Sequence, residues 1–268
     1  MPSKSQPQIA ITLYNLRAYT AKPRQIARTL GRVRKIGYQA VQISGGGLMD
    51  VDPPELKKMA DDAGVDIIGS HIALGLFRDD IGSVIDRLHA WGCPYAAIPS
   101  LPGELWQKSG AWPRLAKQFS GYGRKLADEG LTLQYHNHNF EFHRVGVRGG
   151  RGGRLGLEIL FDKSDPELLQ SELDVGWVAR GGGDPAAYVR WLKGRLDQVH
   201  IKDWGIAEGA PAWMPVGEGN LNMPEIVKAC RGAGVKHYIY EQDTCPTTVD
   251  EWKAARISYE NMRELGLK

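Results

Sequence analysis

Short runs rich in Val, Ile and Tyr alternate along the chain with longer stretches in which apolar residues recur every three or four positions. Runs of the first kind are typical of buried strands, and stretches of the second kind are typical of helices that pack one face against a sheet. The pattern predicts eight strands, at residues 8–12, 40–43, 66–71, 95–98, 131–138, 172–174, 199–201 and 238–241. It also predicts eight helices, at residues 24–36, 53–63, 81–91, 112–129, 166–170, 184–192, 223–230 and 248–262.

This order of elements predicts an α/β fold. Strands that alternate with helices form parallel sheets, because each helix carries the chain back to begin the next strand in the same direction. Eight such units within 268 residues predict a closed (β/α)8 barrel, the TIM barrel, as a single domain over residues 1–268. An open, doubly wound sheet is the alternative. It is disfavoured because no GxGxxG motif follows the first strand.

Composition and charge narrow the class of protein. No long apolar stretch is present and residues 1–8 are polar, so neither a transmembrane helix nor a secretory signal is expected. The three cysteines include no CxxC pair, which argues against a disulfide framework or zinc knuckle and favours a cytoplasmic location. The net charge of +3 is more than accounted for by Arg144, Arg148, Arg151 and Arg154 in one short segment. We therefore expect neither a nucleic-acid partner nor a membrane partner.

That segment, a glycine- and arginine-rich run at residues 143–156, interrupts the pattern after the fifth strand. It predicts a loop at the C-terminal face of the barrel, where enzymes of this architecture have their active sites. Three interpretations remain open at this point. The run is a flexible surface insertion, a mobile lid or anion-binding edge, or a short RGG-type nucleic-acid segment.

Side chains that bind metals or move protons follow several of the predicted strands. They are His71 after the third strand, His136, His138 and Glu141 after the fifth, Glu172 and Asp174 in the sixth, His200 and Lys202 in the seventh, and Glu241 and Asp243 in the eighth. Because parallel strand ends meet at one rim, these carboxylates and imidazoles predict a divalent metal site. The alternative is that each residue makes a separate hydrogen bond or ion pair.

Five segments in this order resemble the sugar phosphate isomerase/epimerase branch of the xylose isomerase-like superfamily. They are YHNHNFEF, ELDVGW, GRLDQVHIKDW, PVGEGNLNMPEIV and YIYEQD. The branch also includes inosose dehydratases, keto-sugar epimerases and 3-keto-glycoside lyases. The resemblance covers residues 9–265 and is most specific between residues 131 and 243. It implies a xylose isomerase-like TIM barrel with one divalent metal ion, Mn²⁺ first and Mg²⁺, Co²⁺, Fe²⁺ or Zn²⁺ as alternatives.

The same resemblance implies that Glu, Asp, His and Glu from successive strands hold the metal. Asp174, His200 and Glu241 match three of these ligands directly. Glu141 is expected as the fourth, because it is the carboxylate near the end of the fifth strand. His136 and His138 are alternatives at this position.

The implied chemistry is isomerisation, epimerisation or elimination on a sugar, keto-sugar, cyclitol or 3-keto-glycoside, through a metal-stabilised enediolate. His138 is expected to move the proton, because the pKa of an imidazole lies near neutrality. Lys202 is expected to bind a substrate oxyanion, with an ion pair to Asp203 as the alternative, and Glu141 and Glu241 are grouped with the catalytic residues. Contacts to the carbohydrate are expected from His71, His136, Trp177, Trp204 and Glu218. The alternative for the two tryptophans is packing against neighbouring loops, and the alternative for His138 is a hydrogen bond to a metal ligand.

Other functions remain open on the sequence alone. A metal-dependent apurinic endonuclease shares this barrel, but it needs more metal ligands and basic DNA-binding loops. A sugar-binding subunit or the partner subunit of a two-chain lyase is a further alternative, and a homo-oligomer is possible. No phosphate-binding loop is evident, so an unphosphorylated small-molecule carbohydrate is the expected substrate.

Overall fold

The eight predicted strands form a closed parallel barrel in a computed structural model of the chain, which describes residues 8–108, 110–148 and 151–268. The barrel strands, numbered in chain order, are β1 Gln8–Thr12, β2 Ala40–Ile43, β3 Asp66–His71, β4 Tyr95–Ile98, β5 Thr132–His136, β6 Gln170–Asp174, β7 Gln198–Ile201 and β8 His237–Tyr240. Each strand pairs with its neighbours in sequence, and β8 pairs with β1 to close the sheet. The predicted (β/α)8 barrel is therefore confirmed.

Eleven α-helices among the described residues accompany the strands. They are α1 Pro23–Ile36, α2 Pro53–Ala63, α3 Leu74–Asp79, α4 Ile81–Trp91, α5 Gly103–Trp106, α6 Ala111–Ala127, α7 Gly156–Lys163, α8 Val175–Arg180, α9 Pro185–Trp191, α10 Met223–Ala233 and α11 Glu251–Glu264. Seven of the eight predicted helices are present within a few residues of their predicted bounds. None of the helices in this part of the chain is long and apolar enough to cross a membrane.

The prediction of a helix at residues 166–170 is wrong. This segment is a turn, in which the Asp165 carboxylate accepts the backbone N–H of Glu167 at 2.9 Å. The Arg195 guanidinium binds the carbonyl oxygen of Leu169 at 2.8 Å and fixes the same turn. The helix of this unit is α7, which buries Leu157, Leu160 and Phe161 and lies directly after the glycine-rich run.

The run at residues 143–156 is a β-hairpin rather than a loop, with strands Arg144–Arg148 and Arg151–Leu155. Residues 149 and 150, at its tip, lie outside the described residues. The Arg154 guanidinium pairs with Asp162 of α7, and Arg144 donates to the carbonyl oxygen of Gly153. A second hairpin that the sequence did not predict, Asp203–Ala207 with Ala210–Met214, follows β7.

Polar side chains line the barrel in layers beneath its C-terminal mouth. Because side chains alternate along a strand, positions two residues apart share a face. Gln134 precedes His136, Glu172 precedes Asp174, and Gln198 precedes His200 in this way, and all six side chains are buried. Buried glutamine and glutamate therefore lie one layer below the strand ends that bear the histidines and Asp174.

Gly121 and Gly123 in α6 offer a matched pair of glycine-to-alanine substitutions. A Cβ at Gly123 would lie 1.9 Å from the carbonyl oxygen of Leu168, whereas no atom lies within 4 Å of a Cβ at Gly121. We expect Gly123→Ala to lower the free energy of unfolding by about 2–4 kcal/mol, because the backbone must move apart. We expect Gly121→Ala to raise it by about 0.5–1 kcal/mol, because alanine favours the helix. Urea unfolding measures both, and equal effects would contradict the close approach of α6 to residue 168.

Candidate functional site

Four side chains from successive strands converge at the C-terminal mouth of the barrel. His136 ends β5, Asp174 ends β6, His200 lies in β7 and Glu241 directly follows β8. All four are buried, and one potential ligand atom from each lies within 4.8 Å of the others. His200 Nδ1 lies 2.5 Å from Glu241 Oε2, and His136 Nε2 lies 3.9 Å from the same oxygen. We call these four residues the upper group.

Glu172 lies below the upper group and is fully buried. Its Oε2 lies 2.6 Å from His71 Nε2, 3.3 Å from His200 Nε2 and 3.5 Å from His136 Nδ1. Its Oε1 accepts a hydrogen bond of 2.5 Å from Gln42 Nε2. The upper group and the set of histidines around Glu172 therefore have two members in common, His136 and His200.

Lys202 brings a fully buried positive charge to the upper group. Its Nζ lies 2.6 Å from Asp243, 3.2 Å from Asp174 and 3.5 Å from Glu241. Burial alone would lower the pKa of Lys202, but these three carboxylates raise it, so the side chain keeps its proton. Gly176 makes room for it, because a Cβ at that position would lie 2.8 Å from Lys202 Cγ.

The ionisation of the group follows from burial and mutual charge. Burial raises the pKa of Asp174 to about 7, against the opposing effect of the Lys202 ammonium. Burial also acts to raise the pKa of Glu241, but the charges of Lys202 and His200 hold it well below its usual value. Burial would lower the pKa of His200, yet Glu172 and Glu241 on its two sides raise it to about 10. Carboxylates and imidazoles in this arrangement are the ligands that Mn²⁺, Fe²⁺, Co²⁺ and Zn²⁺ accept.

His138 lines the cavity above the upper group, as expected of a residue that meets substrate. Its ring stacks on Phe140 at a centroid distance of 5.5 Å and approaches Trp177 at 5.0 Å. Its Nδ1 has no hydrogen-bond partner in the described structure. Burial, with help from His136 and Lys202, lowers the pKa of His138 to about 2, so the ring is neutral. A neutral imidazole accepts a proton, and the predicted role of His138 remains a prediction.

Glu141 does not join the other predicted ligands. Its carboxylate accepts hydrogen bonds from the Tyr135 hydroxyl at 2.6 Å and from the His138 backbone N–H at 2.9 Å. Tyr135 and His136 are consecutive in β5 and point to opposite faces, so Glu141 lies on the helix side of the strand rather than in the barrel mouth. A 3₁₀ turn at Phe140–Phe142 carries it there. The role of Glu141 as a metal ligand therefore stays a prediction without support from this geometry, and His136, the alternative at β5, is the residue that lies in the upper group.

The expected carbohydrate contacts are divided between the cavity and its surroundings. His71 and His136 line the cavity. Trp177 and Trp204 instead pack against Trp213 at centroid distances of 4.6 and 4.7 Å, and Trp204 and Trp213 are paired within the hairpin that follows β7. Glu218 accepts a hydrogen bond from Asn261 Nδ2 in α11 and does not line the cavity.

Asp243 is the functional candidate to which the sequence assigned no role. It lines the cavity and contacts Lys202, and it lies two residues after Glu241, beyond the end of β8. That spacing was the available signal. Asp203, the alternative ion-pair partner of Lys202, instead accepts the backbone N–H groups of Gly217 and Gly219 at 2.9 and 3.1 Å and so holds the loop that carries Glu218.

The cavity over these groups has a volume of about 520 Å³. Its polar lining includes histidines, Glu241 and Asp243. Apolar groups from the segments after β2, β3 and β4 also line it, namely Met49, Ile72, Ala73, Leu76 and Pro99. Among the described residues that line it there is no lysine or arginine. The cavity therefore suits a polar molecule with an apolar face and no strongly anionic group.

Comparison with known proteins identifies the family to which the sequence belongs. The sequence model of the xylose isomerase-like TIM barrel family matches residues 30–264. Inosose dehydratase from Geobacillus kaustophilus is 25% identical over 199 residues, which are 66% of this chain and 61% of that protein. The chain thus matches less than two thirds of the length of this relative.

Two solved structures show the same fold. A sugar phosphate isomerase/epimerase from Parabacteroides distasonis superposes with a TM-score of 0.81 at 23% identity, covering 98% of this chain and 96% of the other. A xylose isomerase-like TIM barrel protein from Mycobacterium smegmatis, in complex with magnesium, superposes with a TM-score of 0.72 at 14% identity, covering 99% and 98%. The family match extends over most of the residues, and the chain belongs to the xylose isomerase-like TIM barrel family.

Proposed function

We propose that the chain is a divalent-metal-dependent enzyme that enolises an unphosphorylated sugar, keto-sugar or cyclitol, as an epimerase, isomerase or dehydratase. The observation that carries this proposal is the convergence of His136, Asp174, His200 and Glu241, all buried, beneath a polar cavity. We assign these four as the metal ligands, with Mn²⁺ as the metal to test first. The donor set fits such an ion, because the metal would supply the positive charge that the buried carboxylates need in place of the His200 proton, and the two imidazoles would then be neutral nitrogen ligands.

Proton transfer is assigned to side chains of the cavity. When bound, the metal supplies a Lewis acid that stabilises negative charge on a substrate oxygen. His138, which lines the cavity and has an unpartnered Nδ1, takes the proton from the carbon next to the carbonyl group. Lys202 keeps its proton and compensates the charge of Asp174, Glu241 and Asp243 while this happens. Return of the proton gives an epimer or isomer, and loss of a neighbouring hydroxyl group as water gives a dehydrated product.

The walls of the cavity support the choice of substrate class. Cationic side chains are the strongest side-chain partners of a phosphate group, and none is among the described lining residues. The apolar lining suits the C–H face of a sugar or cyclitol ring. The similarity to inosose dehydratase makes a keto-cyclitol the first member of this class to test.

The test is solvent deuterium uptake. The protein is stripped with chelator, reloaded with Mn²⁺ and incubated in D₂O with an inosose and a panel of ketohexoses. We expect deuterium at the carbon next to the carbonyl group, detected by proton NMR, and no uptake before reloading. Loss of water from the same substrate would identify a dehydratase. Full activity in the chelated protein would contradict the proposal.

A further inference from the structure

The three imidazoles around Glu172 form a second potential ligand set, below the upper group. The ring centroids of His71, His136 and His200 lie 4.6–5.4 Å apart, so the three rings form a triangle. One nitrogen of each faces the same carboxylate oxygen of Glu172, at 2.6, 3.5 and 3.3 Å. Potential ligand atoms of all four residues lie within 4.8 Å of one another. Separations of about 3.3 Å are those expected between ligands bound about 2.0–2.1 Å from one metal ion.

Two of these nitrogens lack the hydrogen bonds that buried polar atoms normally make. His136 Nδ1 and His200 Nε2 are buried and lie 3.5 and 3.3 Å from Glu172 Oε2, so Glu172 is within ion-pair distance of both, but neither contact has the geometry of a hydrogen bond. Buried polar groups without good hydrogen bonds are rare in native proteins, and a bound ion is one of the few explanations for them. The remaining members, Glu172 and His71, are held in place by Gln42 and Ser44 respectively.

His136 and His200 face the two ligand sets with opposite nitrogens. His200 directs Nδ1 at Glu241 and Nε2 at Glu172. His136 directs Nε2 at Glu241 and Nδ1 at Glu172. A neutral imidazole has only one nitrogen with a free lone pair. Each histidine can therefore serve one of the two ligand sets at a time.

We propose that His71, His136, Glu172 and His200 form a second, deeper metal position, which a single ion occupies in place of the upper one. Three imidazoles and one carboxylate favour Zn²⁺ or Co²⁺, whereas the two carboxylates of the upper group are better suited to Mn²⁺. The Lys202 ammonium also competes with a metal for Asp174 and Glu241, and it makes no contact with Glu172. Zn²⁺ in the deep position leaves Asp174 and Glu241 to Lys202 and holds the enzyme inactive. The metal site in the upper group is part of the proposed function, and so is the activity that Zn²⁺ would block. The existence of the deep metal site does not depend on that function.

Nitrogen NMR distinguishes the two positions directly. The metal-free protein is labelled with ¹⁵N-histidine and titrated with Zn²⁺ alone. We expect zinc-bound signals from His136 Nδ1, His200 Nε2 and His71 Nε2. Zinc-bound signals from His136 Nε2 and His200 Nδ1, with His71 unchanged, would place the ion in the upper position and overturn the proposal.

Paired variants separate this proposal from the proposed function. Glu172→Gln should weaken Zn²⁺ binding roughly tenfold to a hundredfold and weaken Mn²⁺ binding much less, with Glu241→Gln showing the reverse order. His71→Gln changes a ligand of the deep set and none of the upper set, and it should affect Zn²⁺ and Mn²⁺ affinity as Glu172→Gln does. It is the control for a folding defect caused by substitution of the buried Glu172. If Glu241→Gln loses both metals and the other two variants lose neither, the deep position is wrong and the proposed function stands. If Glu241→Gln binds Mn²⁺ normally, the upper ligand set is wrong.

Discussion

Glu241→Gln will lower the affinity of the protein for Mn²⁺ by about a hundredfold or more and will abolish turnover in the presence of that metal. Glu241 is one of the two carboxylates in the upper group, and it holds the Nδ1 nitrogen of His200 at 2.5 Å. Glutamine keeps the shape of the side chain but removes the charge that attracts the cation. Calorimetric titration of the chelated protein with Mn²⁺ measures the affinity.

Glu141→Gln is the matched control for this experiment. Glu141 is also a fully buried carboxylate, five residues from His136, but its partners are Tyr135 and the backbone of His138. We expect the variant to bind Mn²⁺ with unchanged affinity and to lose about 1–3 kcal/mol of unfolding free energy, because a charge-assisted hydrogen bond is weakened. If Glu141→Gln loses Mn²⁺ and Glu241→Gln keeps it, the ligand assignment from the sequence was right and the one from the structure is wrong.

The contrast between these two glutamates shows how far the sequence could predict the site. Asp174, His200 and Glu241 each lie in or directly after a strand, so the barrel brings them to one rim wherever the loops go. Glu141 lies five residues beyond the end of β5, and its position depends on a 3₁₀ turn. Strand alternation predicts the first kind of residue, whereas the second depends on local hydrogen bonds that sequence spacing does not reveal.

The errors in the fold have a similar origin. The glycine-rich run has the composition of a loop, yet antiparallel pairing between Arg144 and Leu155 makes it a hairpin. The helix of this unit was then predicted ten residues too late, at Pro166, because a proline after an acidic residue is typical of a helix start. In the structure that proline belongs to a turn fixed by Arg195, a contact across about thirty positions of sequence. Long-range contacts of this kind leave no local pattern.

The charge balance of the upper group is also not visible as a pattern in the sequence. The substitution Lys202→Met tests that balance. The Lys202 ammonium is fully buried and lies within 3.5 Å of Asp174, Glu241 and Asp243. We expect methionine at this position to reduce turnover by at least about a hundredfold, because the positive charge that compensates Asp174, Glu241 and Asp243 is lost. We expect the same variant to bind Mn²⁺ about tenfold more tightly, because the metal no longer competes with the ammonium for two carboxylates. A simple loss of folded protein would not produce these two opposite changes.

Thermal unfolding with and without Mn²⁺ supplies the second readout for Lys202→Met. Without metal, the variant leaves three carboxylates without their cation. Removal of one partner of a buried ion pair lowers the free energy of unfolding by about 3–5 kcal/mol, so the melting temperature of the variant should fall. Added Mn²⁺ restores the missing charge, so the rise in melting temperature on metal binding should be larger than in the unsubstituted protein. Lys236→Met is the control, because its ion pair with Asp197 lies at the surface, where such pairs contribute about 1 kcal/mol or less. Weaker Mn²⁺ binding in Lys202→Met than in the control would contradict the competition when it is measured at a pH high enough to keep Asp174 ionised, because the Lys202 ammonium lowers the pKa of that carboxylate.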